Sequence, residues 1–119
     1  MTDDELLAGF EACTLAELHH ADHVRVAWLI LRQMPPAEAM ARFMASLRRF
    51  AAANGVPEKY DDALTRRYLA SIVDRMRGET AWQEFARANP ELLVWPPNVG
   101  RVLNPSAAAQ RPPFGRRTG

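Results

Sequence analysis

All three histidines of this 119-residue chain fall within five positions, in Leu18-His19-His20-Ala21-Asp22-His23. On a helix, His20 and His23 stand three apart and His19 and His23 four apart, so either pair presents two imidazoles on one face. Completed by a carboxylate, such a pair becomes a two-histidine, one-carboxylate set that suits Fe(II), Mn(II) or Zn(II) and leaves positions open for substrate. Without a metal, the same imidazoles act as general acid and base, because their charge changes near neutral pH. The acidic donors available to the set are Glu17, Asp22 and the Asp61-Asp62 pair. The plainer alternative makes His20 or His23 a core residue bonded to a tyrosine, a carboxylate or a backbone carbonyl, with the other histidines facing water.

The elements that must position these residues are legible from caps and periodicity. Thr2-Asp3-Asp4-Glu5 has capping-box spacing, which predicts a first helix running to about Ala12. Thr14-Leu15-Ala16-Glu17 repeats that spacing, so a second helix is expected to begin there and carry the histidines into Val24-Arg25-Val26-Ala27-Trp28-Leu29-Ile30-Leu31. Apolar residues on every side of this run mark a central, buried helix. Pro35-Pro36 ends it and starts the next, in which Met40, Phe43, Met44, Leu47 and Phe50 recur at helical spacing up to Asn54-Gly55. Tyr60, Leu64, Tyr68, Ile72 and Met76 predict a fourth amphipathic helix closed by Gly78, and Glu79 to Ala88 a fifth, held by Trp82 and Phe85. Asn89-Pro90 reads as an N-cap and N1 proline for one more turn. The expected fold is all-α: a bundle of about five helices over residues 1–94 around a central buried helix.

Residues 95–119 break the pattern, with five prolines, three glycines and no amphipathic period, and are expected to be an extended or partly disordered tail rich in Pro and Arg. Residues 1–94 hold eleven basic and fourteen acidic side chains (−3), whereas 95–119 hold four arginines and no acid (+4). With a formal charge of only +1 overall, the chain lacks the field that drives nonspecific nucleic-acid binding. The run from Val24 to Leu31 falls far short of the roughly 20 apolar residues that span a bilayer, and the acidic start Thr2-Asp3-Asp4-Glu5 is unlike a secretory signal. One cysteine, Cys13, makes no internal disulfide. These features together give an expectation of a cytoplasmic protein without nucleic-acid or membrane partners. Fourteen arginines against the single Lys59, with abundant alanine, suggest a GC-rich bacterial source.

His20-Ala21-Asp22-His23-Val24-Arg25-Val26-Ala27-Trp28, followed after a helix by Gly55 and then Lys59-Tyr60-Asp61-Asp62-Ala63-Leu64-Thr65, resembles a family of small, uncharacterised, all-helical bacterial proteins. Their pattern is H-x-x-H-[LV]-R-x-A-W followed by K-Y-H-E-T-[LI]-T, and Asn89-Pro90-Glu91-Leu92-Leu93 fits their C-terminal helix. The likeness covers roughly residues 10 to 95. It implies two histidines on one helix facing a His-Glu pair at the start of another, hence a metal or acid-base pocket. This chain carries Asp61-Asp62-Ala63 where that pattern has His-Glu-Thr, so His20 and His23 correspond to it and the third histidine does not.

The resulting expectation is a small-molecule enzyme, within a biosynthetic pathway, with His20, His23, Asp61 and Tyr60 around one pocket. His20, His23 and Asp61 would be ligands of Fe, Mn or Zn, or members of a metal-free acid-base set. The alternative is a non-catalytic helical protein that binds a ligand or forms a homodimer, having lost the third histidine. Tyr60, Tyr68, Trp28 and Arg25 are candidates to line a pocket, but their spacing equally suits core positions. Met34, Met40, Met44 and Met76 read as gap-filling core, Cys13 lacks a positioned base, and Arg48-Arg49 and Arg66-Arg67 read as solvated faces.

Overall fold

The structure, a computed structural model, describes residues 1–94; the expected tail over 95–119 lies outside the described residues. The fold is all-α: among the described residues there are five helices, α1 (Asp3–Ala12), α2 (His20–Leu31), α3 (Pro36–Ala53), α4 (Asp62–Arg75) and α5 (Trp82–Ala88), with a 3-10 turn at Pro57–Lys59 between α3 and α4 and another at Pro90–Leu93 after α5. No described helix is long and apolar enough to cross a membrane.

Helix α1 begins as its sequence dictates. Thr2 Oγ1 accepts from the Glu5 amide at 3.1 Å, and Glu5 Oε1 accepts from the Thr2 amide at 2.9 Å, so two otherwise orphaned donors are satisfied together. At its other end Cys13 takes a left-handed conformation (φ 61°) and the Thr14 amide closes back on the Gly9 carbonyl. That closure uses the backbone of the second expected capping box. Residues 14–19 therefore run outside a helix, and α2 starts at His20 instead of near Thr14. The start at His20 is held by Asp22, whose carboxylate accepts from the His19 amide at 3.2 Å.

Helix α2 is the centre of the molecule, touching α1, α3, α4, α5 and the Pro90–Leu93 turn. Nine of its twelve residues are buried, which is what an apolar run without a polar stripe requires. Two aromatic groups pack beside it. Phe10 lies 5.4 Å from Phe43 and 5.8 Å from Phe50, joining α1 to α3. Trp28 lies 5.9 Å from Trp82 and 6.1 Å from Phe85, joining α2 to α5. At the edges, Arg42 holds Glu11 through two nitrogens, at 2.6 and 2.8 Å, and Arg25 holds Asp3.

Helices α4 and α5 are shorter than the periodicity suggests. Tyr60 precedes α4 and Met76 follows it in an extended conformation. α5 starts at Trp82 instead of Glu79. Asn89 also acts differently: its amide is buried and donates back to the Phe85 carbonyl at 3.0 Å, closing α5 instead of capping the turn that follows. Among the described residues the exposed large hydrophobics are Met1 and Val94, one at each end, so the helices themselves leave no broad bare apolar face.

Candidate functional site

Helix α2 places His20 and His23 on its inward side, where they are 7% and 8% exposed and their ring centroids stand 6.4 Å apart. Across from them, α3 supplies Phe43 and Leu47 and α4 supplies Thr65, Tyr68, Leu69 and Ile72; with Val24 and Ala27 of α2 these enclose a partly open cleft. Its volume is about 40 Å³, room for about three waters or the end of a short alkyl group, whereas a benzene ring fills a cavity of roughly 150 Å³. The walls are almost wholly apolar, and the polar groups come from His20, His23, Thr65 and Tyr68.

One end of the cleft is tied to the C-terminal turn. Tyr68 Oη donates to the Leu92 carbonyl at 2.7 Å, and His20 Nε2 stands 3.0 Å from the same oxygen and also contacts Tyr68 Oη. A carbonyl oxygen only accepts, so His20 Nε2 carries a proton here, and in the neutral ring Nδ1 is the basic nitrogen. Both groups approach this one buried oxygen from the same side, and their hydrogen bonds offset its desolvation penalty.

The electrostatics are those of a dry pocket. Burial pushes His23 down to about 3, with the neighbouring His20 and His19 adding to the shift. Burial also holds His20 below the usual histidine range, partly offset by its bond to Leu92. Tyr68 is raised above the ordinary phenol value by burial. At neutral pH both imidazoles and the phenol are uncharged.

The other expected site residues stand elsewhere. Asp61 is exposed and is the N-cap of α4, its Oδ1 accepting from the Leu64 amide at 2.9 Å. Tyr60 donates to Asp62 at 3.0 Å and lies under the Arg48 guanidinium. Neither lines the cleft. The anticipated His20, His23 and Asp61 ligand set is therefore not assembled, because the carboxylate is committed to the helix end; among the described residues no group of three or more His, Cys, Asp or Glu could hold a metal ion. His19 faces out and pairs with Glu17 at 2.9 Å. Of the further pocket candidates Tyr68 does line the cleft, whereas Trp28 is core and Arg25 is engaged with Asp3. Thr65 and the Leu92 carbonyl were not anticipated. Thr65 lies one turn before Leu69 on α4 and so shares its face; a backbone carbonyl leaves no mark in a sequence. Family models, curated protein sequences and solved structures give no match to this chain.

Proposed function

We propose that this protein binds a small, largely apolar molecule in the cleft between α2, α3 and α4, with His20, His23, Thr65 and Tyr68 as its polar contacts. The observation that carries the reading is the combination of an apolar cleft of about 40 Å³ with two uncharged imidazoles facing it. Pockets for small molecules have this form, with apolar walls and a few polar groups that fix orientation. The volume sets the size: the end of a short alkyl group fills the interior, and the rest of the ligand reaches the open side. The likeness of His20 to Trp28 to the H-x-x-H helical pattern supports the same pocket.

An enzymatic use of the cleft is the second reading, favoured by the contact of Tyr68 and His20 at its end. In that reading His20 is the acid-base residue, beside the Tyr68 hydroxyl that it contacts. His23 is ill suited to the role at neutral pH, because a base near 3 is far from the working pH that favours proton transfer. A metal would need donors beyond the two imidazoles.

The test is a titration of the full chain with isopentane, followed by methyl NMR. Saturable shifts at Val24, Leu47, Leu69 and Ile72 are expected. They should vanish in Ala27→Leu and in Thr65→Ile, two variants that fill the cleft from opposite walls. Unsaturable shifts spread over the whole surface would overturn the reading.

A further inference from the structure

Two donors converging on one oxygen make an acceptor site, and here that oxygen belongs to the chain itself. Tyr68 Oη and His20 Nε2 approach the Leu92 carbonyl at 2.7 and 3.0 Å, and both side chains also border the cleft. The arrangement resembles the donor pairs that proteins aim at a ligand carbonyl, in a water-poor setting where each bond counts for more than in water. Both donors are held for the purpose: Tyr68 is packed against the core, and its ring meets His20 at 5.1 Å and 63°.

We propose that Tyr68 and His20 form a recognition site for the carbonyl oxygen of a small neutral ligand, and that the Leu92 carbonyl occupies this site as a built-in competitor. The proposal rests on the cleft being a ligand pocket and adds the class of the ligand: a ketone, aldehyde or amide with a short branched alkyl group. The alkyl group occupies the space among Leu47, Leu69 and Ile72, and the carbonyl takes the two donors.

Neutral carbonyls are favoured over carboxylates for a physical reason. An anion would leave water for apolar walls without a cation to meet it, since both imidazoles stay uncharged, and burying an unpaired charge is costly. Among the described residues no arginine or lysine lines the cleft.

Ligand entry and the C-terminal turn are then coupled. When a ligand oxygen takes the donors, Leu92 loses both hydrogen bonds, and the Pro90–Leu93 turn keeps its other ties: the Leu92 side chain in the core, and Glu91 on Arg75. Loss of these two hydrogen bonds, with the apolar and ionic ties retained, loosens the turn without releasing it. Coupling is reciprocal, so a turn already loosened binds the ligand more readily.

The experiment compares methyl isopropyl ketone, isobutyrate and isopentane on the full-length chain, by NMR titration and by hydrogen exchange of the Leu92 amide, which donates to Asn89 at 3.1 Å. The ketone should bind, shift Tyr68 and His20, and accelerate exchange at Leu92. Isopentane should shift only the methyl groups of the cleft, and isobutyrate should bind most weakly. Tyr68→Phe should weaken the ketone about tenfold relative to isopentane, the worth of one hydrogen bond. Because that variant also loosens the turn, its Leu92 exchange should start higher and rise less with ketone. Equal affinity for ketone and isopentane, or ketone affinity unaltered by Tyr68→Phe, would overturn the carbonyl site while leaving the cleft a pocket. Absence of binding by both would overturn the two together.

Discussion

Asp61 Oδ1 sits 2.9 Å from the backbone amide of Leu64, so the carboxylate that the histidine pair was expected to recruit instead starts helix α4. A side chain that satisfies an N-terminal amide contributes to stability and not to ligand binding. Asp61→Ala should therefore lower stability by about 1 kcal/mol, while Asp61→Ser and Asp61→Asn should cost much less. Urea denaturation gives the first quantity, and an unchanged isopentane titration in all three variants would confirm that Asp61 lies outside the pocket.

Acid should destabilise the fold through its buried histidines. His23 is held near 3 and His20 below its usual value, so both are neutral when folded, whereas in the unfolded chain they titrate near 6.5. Above that value the two states bind the same protons and the full stability is present. As pH falls below it, the unfolded state takes up protons that the folded state refuses, and stability declines by up to about 1.4 kcal/mol per pH unit for each such histidine. For His23 the decline continues until the folded ring protonates near 3. Denaturation at a series of pH values between 7 and 5 should show this slope, and His23→Leu should flatten it.

Gly9 faces a tight constraint of a different kind. A Cβ built there would lie 2.6 Å from Leu15 Cδ2 and 2.9 Å from Leu15 Cγ, so the side chain of the loop after α1 would have to move. Alanine favours a helix over glycine by about 1 kcal/mol, but overpacking costs roughly 1 to 3 kcal/mol. Gly9→Ala should thus be destabilising on balance in the natural sequence. In a Leu15→Ala background the obstacle is gone and the same change should become stabilising. Such a reversal, read from a double-mutant cycle, is the signature of two residues in contact.

The Arg42 and Glu11 pair joins α1 to α3 with two of the three guanidinium nitrogens engaged, and the Arg42 guanidinium holds the Glu11 carboxyl below its usual value. Both side chains are about three-tenths exposed, so solvent screens the pair and its coupling should be about 1 kcal/mol or less. With its carboxyl lowered in the fold, Glu11 contributes stability above the ordinary glutamate range and loses it as pH falls through the lowered value. A double-mutant cycle with Glu11→Gln and Arg42→Met, run at low and high salt, measures the coupling directly.

Helices were legible where periodicity and caps agreed, and much less so where a local signal competed with a distant one. The Thr2 box and the Pro36 start stand where expected. Thr14 offered an equally good box, yet its amide is taken by Gly9 and its neighbours Leu15 and Leu18 are drawn against the core. Tertiary packing overrode the local preference there. The same holds for the site. His20 and His23 could be found from their spacing and Tyr68 from its place on an apolar face. The partner that orients two of them is the carbonyl of Leu92, seventy-two residues beyond His20, and any residue type supplies a carbonyl. Asp61 misled because acidic residues before a helix serve as caps as readily as ligands.

The packing of Trp28 on Trp82 has an optical consequence. Their ring centroids are 5.9 Å apart with planes at 57°, and Trp28 is fully excluded from water. Two indoles so close and so fixed couple their excited states, which places a signed doublet in the ultraviolet circular dichroism. That doublet exists only while α5 is seated on α2. The docking of the C-terminal third of the bundle can therefore be followed without a label, separately from the helix content that the far-ultraviolet signal reports.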